Sequence, residues 1–114
     1  MKREQKIWGQ RWLIRCDSTH AVSYLELEKN VQCSWHRHET KYNLFVVLEG
    51  ELILEIEELD NIKTVTLNKG EEFTIKPGQW HLFRCFCENT KVIEEMFVEY
   101  NESDIERQNK GNRL

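Results

Sequence analysis

The sequence predicts an all-β domain, a sandwich or barrel of short antiparallel strands. Runs of Val, Ile, Leu, Phe and Tyr recur at alternating positions, and each run closes on Gly, Asn or a charge cluster. A helical pattern is confined to the C-terminus, where Ser103 can cap a turn from Asp104 to Asn109. Residues 1–11 are basic and polar apart from Ile7, Trp8 and the small Gly9, and are expected to form an N-terminal arm.

The candidate strands are 12–16, 21–28, 32–38, 42–48, 51–58, 63–67, 72–75, 80–86 and 91–100, which places the barrel at 12–100. The first two are short apolar runs. In 32–38 the alternation turns Ser34, His36 and His38 to one side, and in 42–48 it does so for Asn43, Phe45 and Val47. Residues 51–58 show the period most plainly, with Leu52, Leu54 and Ile56 on one face and Glu51, Glu55 and Glu57 on the other. Asp60-Asn61, Asn68-Lys69-Gly70, Pro77-Gly78 and Asn89 supply turns between the later strands. His81, Phe83 and Cys85 share a face of 80–86. In 91–100 Glu94 occupies the apolar parity of Val92, Met96, Val98 and Tyr100. Such short strands fit architectures that hide their edges. Residues 101–114 form a tail.

Composition narrows the function. The 114 residues make one domain, and no apolar run approaches the roughly 20 residues that a bilayer core requires. Sixteen Lys plus Arg against 20 Asp plus Glu give a formal charge of −4, with no basic patch to draw nucleic acid. The N-terminal residues lack the apolar run of a secretory signal, so a cytoplasmic location is expected, with Cys16, Cys33, Cys85 and Cys87 as reduced thiols.

His36 and His38, one residue apart on a strand, offer two imidazoles to one side, and His81 follows the Pro77-Gly78 turn at the start of another strand. Three neutral imidazoles can hold Zn, Fe, Ni, Mn or Cu and leave positions open for a ligand. An H-x-H pair alone is often surface or structural chemistry, and the frame around it decides.

That frame resembles the cupin superfamily, whose motifs are G-x5-H-x-H-x(3,4)-E-x6-G and G-x5-P-x-G-x2-H-x3-N. His36, His38 and Gly50 match the first, with Asn30 in place of Gly and Asn43 in place of the Glu ligand. Gly70, Gly78 and His81 match the second, with Lys76 and Cys85 in place of Pro and Asn. The resemblance implies a double-stranded β-helix, or jelly-roll barrel, with a short C-terminal helical turn. It also implies a divalent transition metal on His36, His38 and His81, with Asn43 as weak ligand or neighbouring donor. Replacing a carboxylate with an amide removes a negative charge beside the metal, which favours a small polar or anionic ligand.

Ser34, Phe45, Val47, Phe83 and Cys85 are the expected pocket lining, although a cysteine placed like Cys85 is more often a small buried hydrophobe. Glu94 is a candidate general base, unless a bulge turns it to solvent. Arg15, Arg37 and Arg84 are candidate phosphate contacts or solvated charges. Within the superfamily, Lys6-Ile7-Trp8-Gly9 and Asp104-Ile105-Glu106-Arg107, with Gly111 and Arg113, look like the opening and close of one particular domain. It is the C-terminal cupin domain of mannose-6-phosphate isomerase/mannose-1-phosphate guanylyltransferase. That likeness implies a metal-dependent isomerase or epimerase acting on a sugar or sugar phosphate, and small cupins are commonly homodimers. A three-His Fe(II) dioxygenase and a non-catalytic ligand-binding or sensor module are the alternatives.

Overall fold

The computed structural model describes residues 1–98 and 113. They form ten strands: β1 Lys2–Lys6, β2 Gly9–Cys16, β3 His20–Leu27, β4 Val31–Gln32, β5 Tyr42–Glu49, β6 Glu51–Glu58, β7 Asn61–Asn68, β8 Glu72–Ile75, β9 His81–Cys85 and β10 Thr90–Phe97. One sheet has the order β1-β2-β3-β10-β5-β8 and the other β4-β9-β6-β7, with every pairing antiparallel. This is the expected all-β jelly roll. No helix among the described residues is long and apolar enough to cross a membrane. The helical turn expected over 104–109 lies outside the described residues.

The core lies between the inner faces of the two sheets. Leu25 and Leu27 of β3, Phe45 and Val47 of β5, and Val92 of β10 meet Leu52, Leu54 and Ile56 of β6 and Phe83 of β9. Strand alternation puts each of these on the face turned away from water, and burying one large aliphatic side chain contributes about 1.5–3 kcal/mol. Left-handed backbone at Asn30 (φ 60°) and Asn89 (φ 58°) turns the chain where Asn tolerates it best. At the β6–β7 hairpin the positive φ angles fall on Leu59 and Asp60, one residue before the expected Asp60-Asn61 turn.

Two expectations are corrected. The N-terminal arm 1–11 is instead the β1–β2 hairpin, whose β2 lies against β3. Gly9 makes this possible: at φ 145°, a Cβ there would lie 2.0 Å from the Glu26 carbonyl oxygen of β3. The hairpin escaped the alternation argument because β1 is a sheet edge with Lys2, Arg3 and Gln5 exposed. The strand expected at 32–38 shrinks to Val31–Gln32 and a single bridge between His36 and His81. Its ladder is interrupted where the Cys33 thiol, not a carbonyl, accepts from the Phe83 N–H at 3.2 Å.

Candidate metal centre

The three histidines are brought together by the connection between β4 and β5 and by the start of β9. His36 and His81 exchange backbone hydrogen bonds of 3.0 and 2.8 Å, and the Gly78 N–H donates to the His38 carbonyl at 2.7 Å. The Pro77-Gly78 turn is thereby tied to the histidine segment. One nitrogen from each of His36, His38 and His81 lies within 4.8 Å of the others.

Hydrogen bonding sets which nitrogen faces the centre. Nδ1 of His36 lies 2.7 Å from the Ser34 carbonyl, and Nδ1 of His81 lies 2.9 Å from the Gln79 carbonyl. A carbonyl only accepts, so in both rings Nδ1 carries the proton and Nε2 keeps a lone pair, the tautomer a metal ligand needs. Burial lowers the pKa of His81 to about 4, with further depression from His36 and His38. Burial likewise lowers that of His38, and the neighbouring His36 adds to the effect. Both rings are therefore neutral at pH 7.

A divalent cation fits this donor set. Nε2 of His38 is buried with no hydrogen-bond partner among the described residues. Nε2 of His81 faces Oδ1 of Asn43 at 3.2 Å, so two acceptors meet with no proton between them while the ring is neutral. Buried lone pairs without donors are costly, and a cation bound by the imidazoles removes that cost. Asn43 is itself fully buried on β5, and its Nδ2 donates to Oε2 of Glu94 at 3.3 Å. It lies between His81 and Glu94.

His36 and His38 open onto a cavity of about 410 Å³, a size suited to a small ligand, with His81 buried behind them. His36, His38, Ser34 and Cys33 line one side with Phe83, and Glu94 and Met96 of β10 line another. The β10–β5 register shifts between Lys91 and Val92, but the residue left without a partner is Leu48 of β5; β10 itself runs on unbroken and Glu94 lines the cavity. Burial raises the pKa of Glu94.

Several expected lining residues lie elsewhere. Phe45, Val47 and Cys85 are packed in the core, Phe45 edge-on to Phe83 with ring centroids 6.0 Å apart. They share the inward parity of the site residues but sit deeper in the barrel, a distinction that alternation does not make. The candidate phosphate contacts also lie elsewhere. Arg15 pairs with Asp17 at 3.6 Å, Arg37 lies over the Trp80 ring at 5.1 Å, and Arg84 pairs with Glu55 and Gln32. The cations that do line the cavity are Lys6 and Arg11, accompanied by Ile7 and Trp8 of the β1–β2 hairpin. Sequence reasoning missed them because it placed 1–11 outside the barrel; the signal was the Lys6-Ile7-Trp8-Gly9 segment, read as a family likeness and not as a wall.

Residues 23–90 match the Cupin domain family. The chain belongs to the cupin family. Among solved structures, this cupin is similar to KdgF from Halomonas sp. at a TM-score of 0.74 and 15% identity, covering 88% of this chain and 90% of that one. It is also similar to the Cnp3 cupin domain of Schizosaccharomyces pombe, with a TM-score of 0.74, 11% identity and coverage of 87% and 69%. A variant of oxalate decarboxylase from Bacillus subtilis gives a TM-score of 0.75 at 11% identity, covering 90% of this cupin but only 29% of that chain. At such identities the likeness shows the fold alone. No curated protein matches the chain in sequence.

Proposed function

We propose that this cupin is a metal-dependent isomerase or epimerase of sugars or sugar phosphates, of the mannose-6-phosphate isomerase-like kind. One observation carries the reading: Glu94 lines the same cavity as His36 and His38, and Asn43, beside His81, donates to its carboxylate. Metal-assisted isomerisation needs a Lewis acid and a proton carrier on one substrate, and the histidines and Glu94 would supply them.

His36, His38 and His81 would hold the ion, which when bound polarises a substrate carbonyl or hydroxyl. Glu94 removes a proton from the carbon beside that group and returns it to the neighbouring carbon. Its burial shifts the carboxyl upward, closer to the range in which it can both take and give a proton near neutral pH. The Asn43 amide holds Oε2 in place. Cys33, Phe83 and Met96 supply apolar wall that limits competing water.

The test is metal analysis of tag-free protein, combined with deuterium incorporation from D2O into a panel of aldoses, ketoses and their phosphates. The expected result is bound metal in the parent and in Glu94→Gln, carbon-bound deuterium with the parent only, and negligible metal in His81→Ala. Oxygen uptake with Fe(II) and no exchange would assign the site to a dioxygenase. Ligand binding with neither reaction would leave a binding module.

A further inference from the structure

Arg11 is a cavity-lining cation whose hydrogen-bond partner is neutral. Its Nε donates to the Ser23 hydroxyl at 2.9 Å, and Ser23 is itself 1% exposed, so the guanidinium is tethered to the inner face of the sheet. It makes no ion pair among the described residues. Lys6, the other cation at the cavity, is neutralised by Glu4 at 2.9 Å. Glu94 lines the cavity too and feels the Arg11 charge, which opposes the larger upward effect of burial, but its hydrogen bond comes from Asn43 and it makes no ion pair with Arg11.

The wall carrying Arg11 is built rigidly. Gly9 seats β2 against the Glu26 backbone, and the Trp8 ring packs edge-on to Phe83 with centroids 5.2 Å apart. Trp8 is fastened further by its carbonyl, which accepts from the Glu28 N–H at 2.9 Å. A guanidinium with its Nε occupied still presents a pair of terminal amino groups, and these match the spacing of carboxylate or phosphate oxygens.

We propose that Arg11 is an anion-binding residue of the cavity, and that the natural ligand is a small bifunctional molecule. One oxygen-bearing end reaches the histidine centre, and a carboxylate or phosphate at the other end docks on Arg11. The second half of this statement rests on the metal-centre reading, while the Arg11 contact stands without it.

The experiment measures binding by calorimetry and by the NMR shifts of the Trp8 indole and Arg11 Nε resonances. The probes are inorganic phosphate on metal-free protein, then succinate, its monoamide succinamate and 3-phosphonopropionate on zinc-loaded protein. Inorganic phosphate is expected to shift both resonances, and Arg11→Gln to weaken it about tenfold or more while its melting temperature stays at the parent value. Succinate is expected to exceed succinamate in the parent and to lose that preference in Arg11→Gln, with part of it restored in Arg11→Lys. Whichever of succinate and 3-phosphonopropionate binds more tightly identifies the anionic end. If Arg11→Gln binds every probe as the parent does, the proposal is wrong. If zinc does not bind but phosphate still depends on Arg11, the metal reading fails and the anion site stands.

Discussion

Acidifying the metal-free protein through the range where free histidine titrates should cost stability, chiefly through His81. In the unfolded chain this ring has its ordinary pKa near 6.5, whereas burial depresses it to about 4 in the folded state. The folded protein therefore binds fewer protons, so the contribution is fully present above pH 6.5 and is lost as the pH falls toward 4. Between pH 7.5 and pH 5 the linkage amounts to about 2 kcal/mol, and over the whole shift to about 3 kcal/mol. Glu94 acts in the opposite direction, since its raised pKa means that the folded state takes up a proton before the unfolded chain does. Comparison with His81→Gln isolates the imidazole. Urea unfolding of chelator-treated protein at pH 7.5, 6.0 and 5.0 should give a parent curve that falls by about 2 kcal/mol relative to the variant. Parallel curves for the two proteins would falsify the assignment of His81 as a buried neutral ring.

Other outcomes follow from the same coordinates. Gly9→Ala should destabilise by more than about 2 kcal/mol, because its Cβ meets the Glu26 carbonyl at 2.0 Å on a positive-φ backbone. Gly70→Ala, with φ 84° but open space around it, should cost only about 1 kcal/mol, and urea melts of the pair separate clash from backbone strain. Thiol titration with Ellman's reagent at pH 8 should label Cys16 in the native protein and reach Cys33 only after denaturation. Cys16 is exposed, whereas burial raises the Cys33 pKa to about 11; rapid native labelling of a Cys16→Ser variant at Cys33 would contradict this. His36→Ala and His38→Ala should each leave far less than one bound metal per chain by elemental analysis, while Arg37→Ala should keep the parent content, since Arg37 lies over Trp80 away from the centre.

The legible part of this protein was what a period of two encodes. Leu52, Leu54 and Ile56 alternate with glutamates, and the structure buries the first set and leaves the second on the outer face. The motif spacing was equally informative: His36, His38 and His81 converge although they are far apart in the chain, because Gly78 and the His36–His81 bridge join their segments. Parity also placed Glu94 inward, and no bulge turns it to solvent.

Depth and distant packing were not legible. Phe45, Val47 and Cys85 have the same parity as the site residues, yet they fill the core, since alternation specifies which side of a sheet a residue faces and not how far along the barrel it lies. Local chemistry likewise determined the tautomers only once the Ser34 and Gln79 carbonyls were seen beside the rings. The sequence by itself determined most strands and turns, because these depend on neighbours a few residues away, while motif spacing picked out the three imidazoles. Only the tertiary structure decided that the polar N-terminal hairpin lines the cavity with Arg11. That placement depends on Gly9 letting one backbone approach another, a contact between strands that no local pattern records.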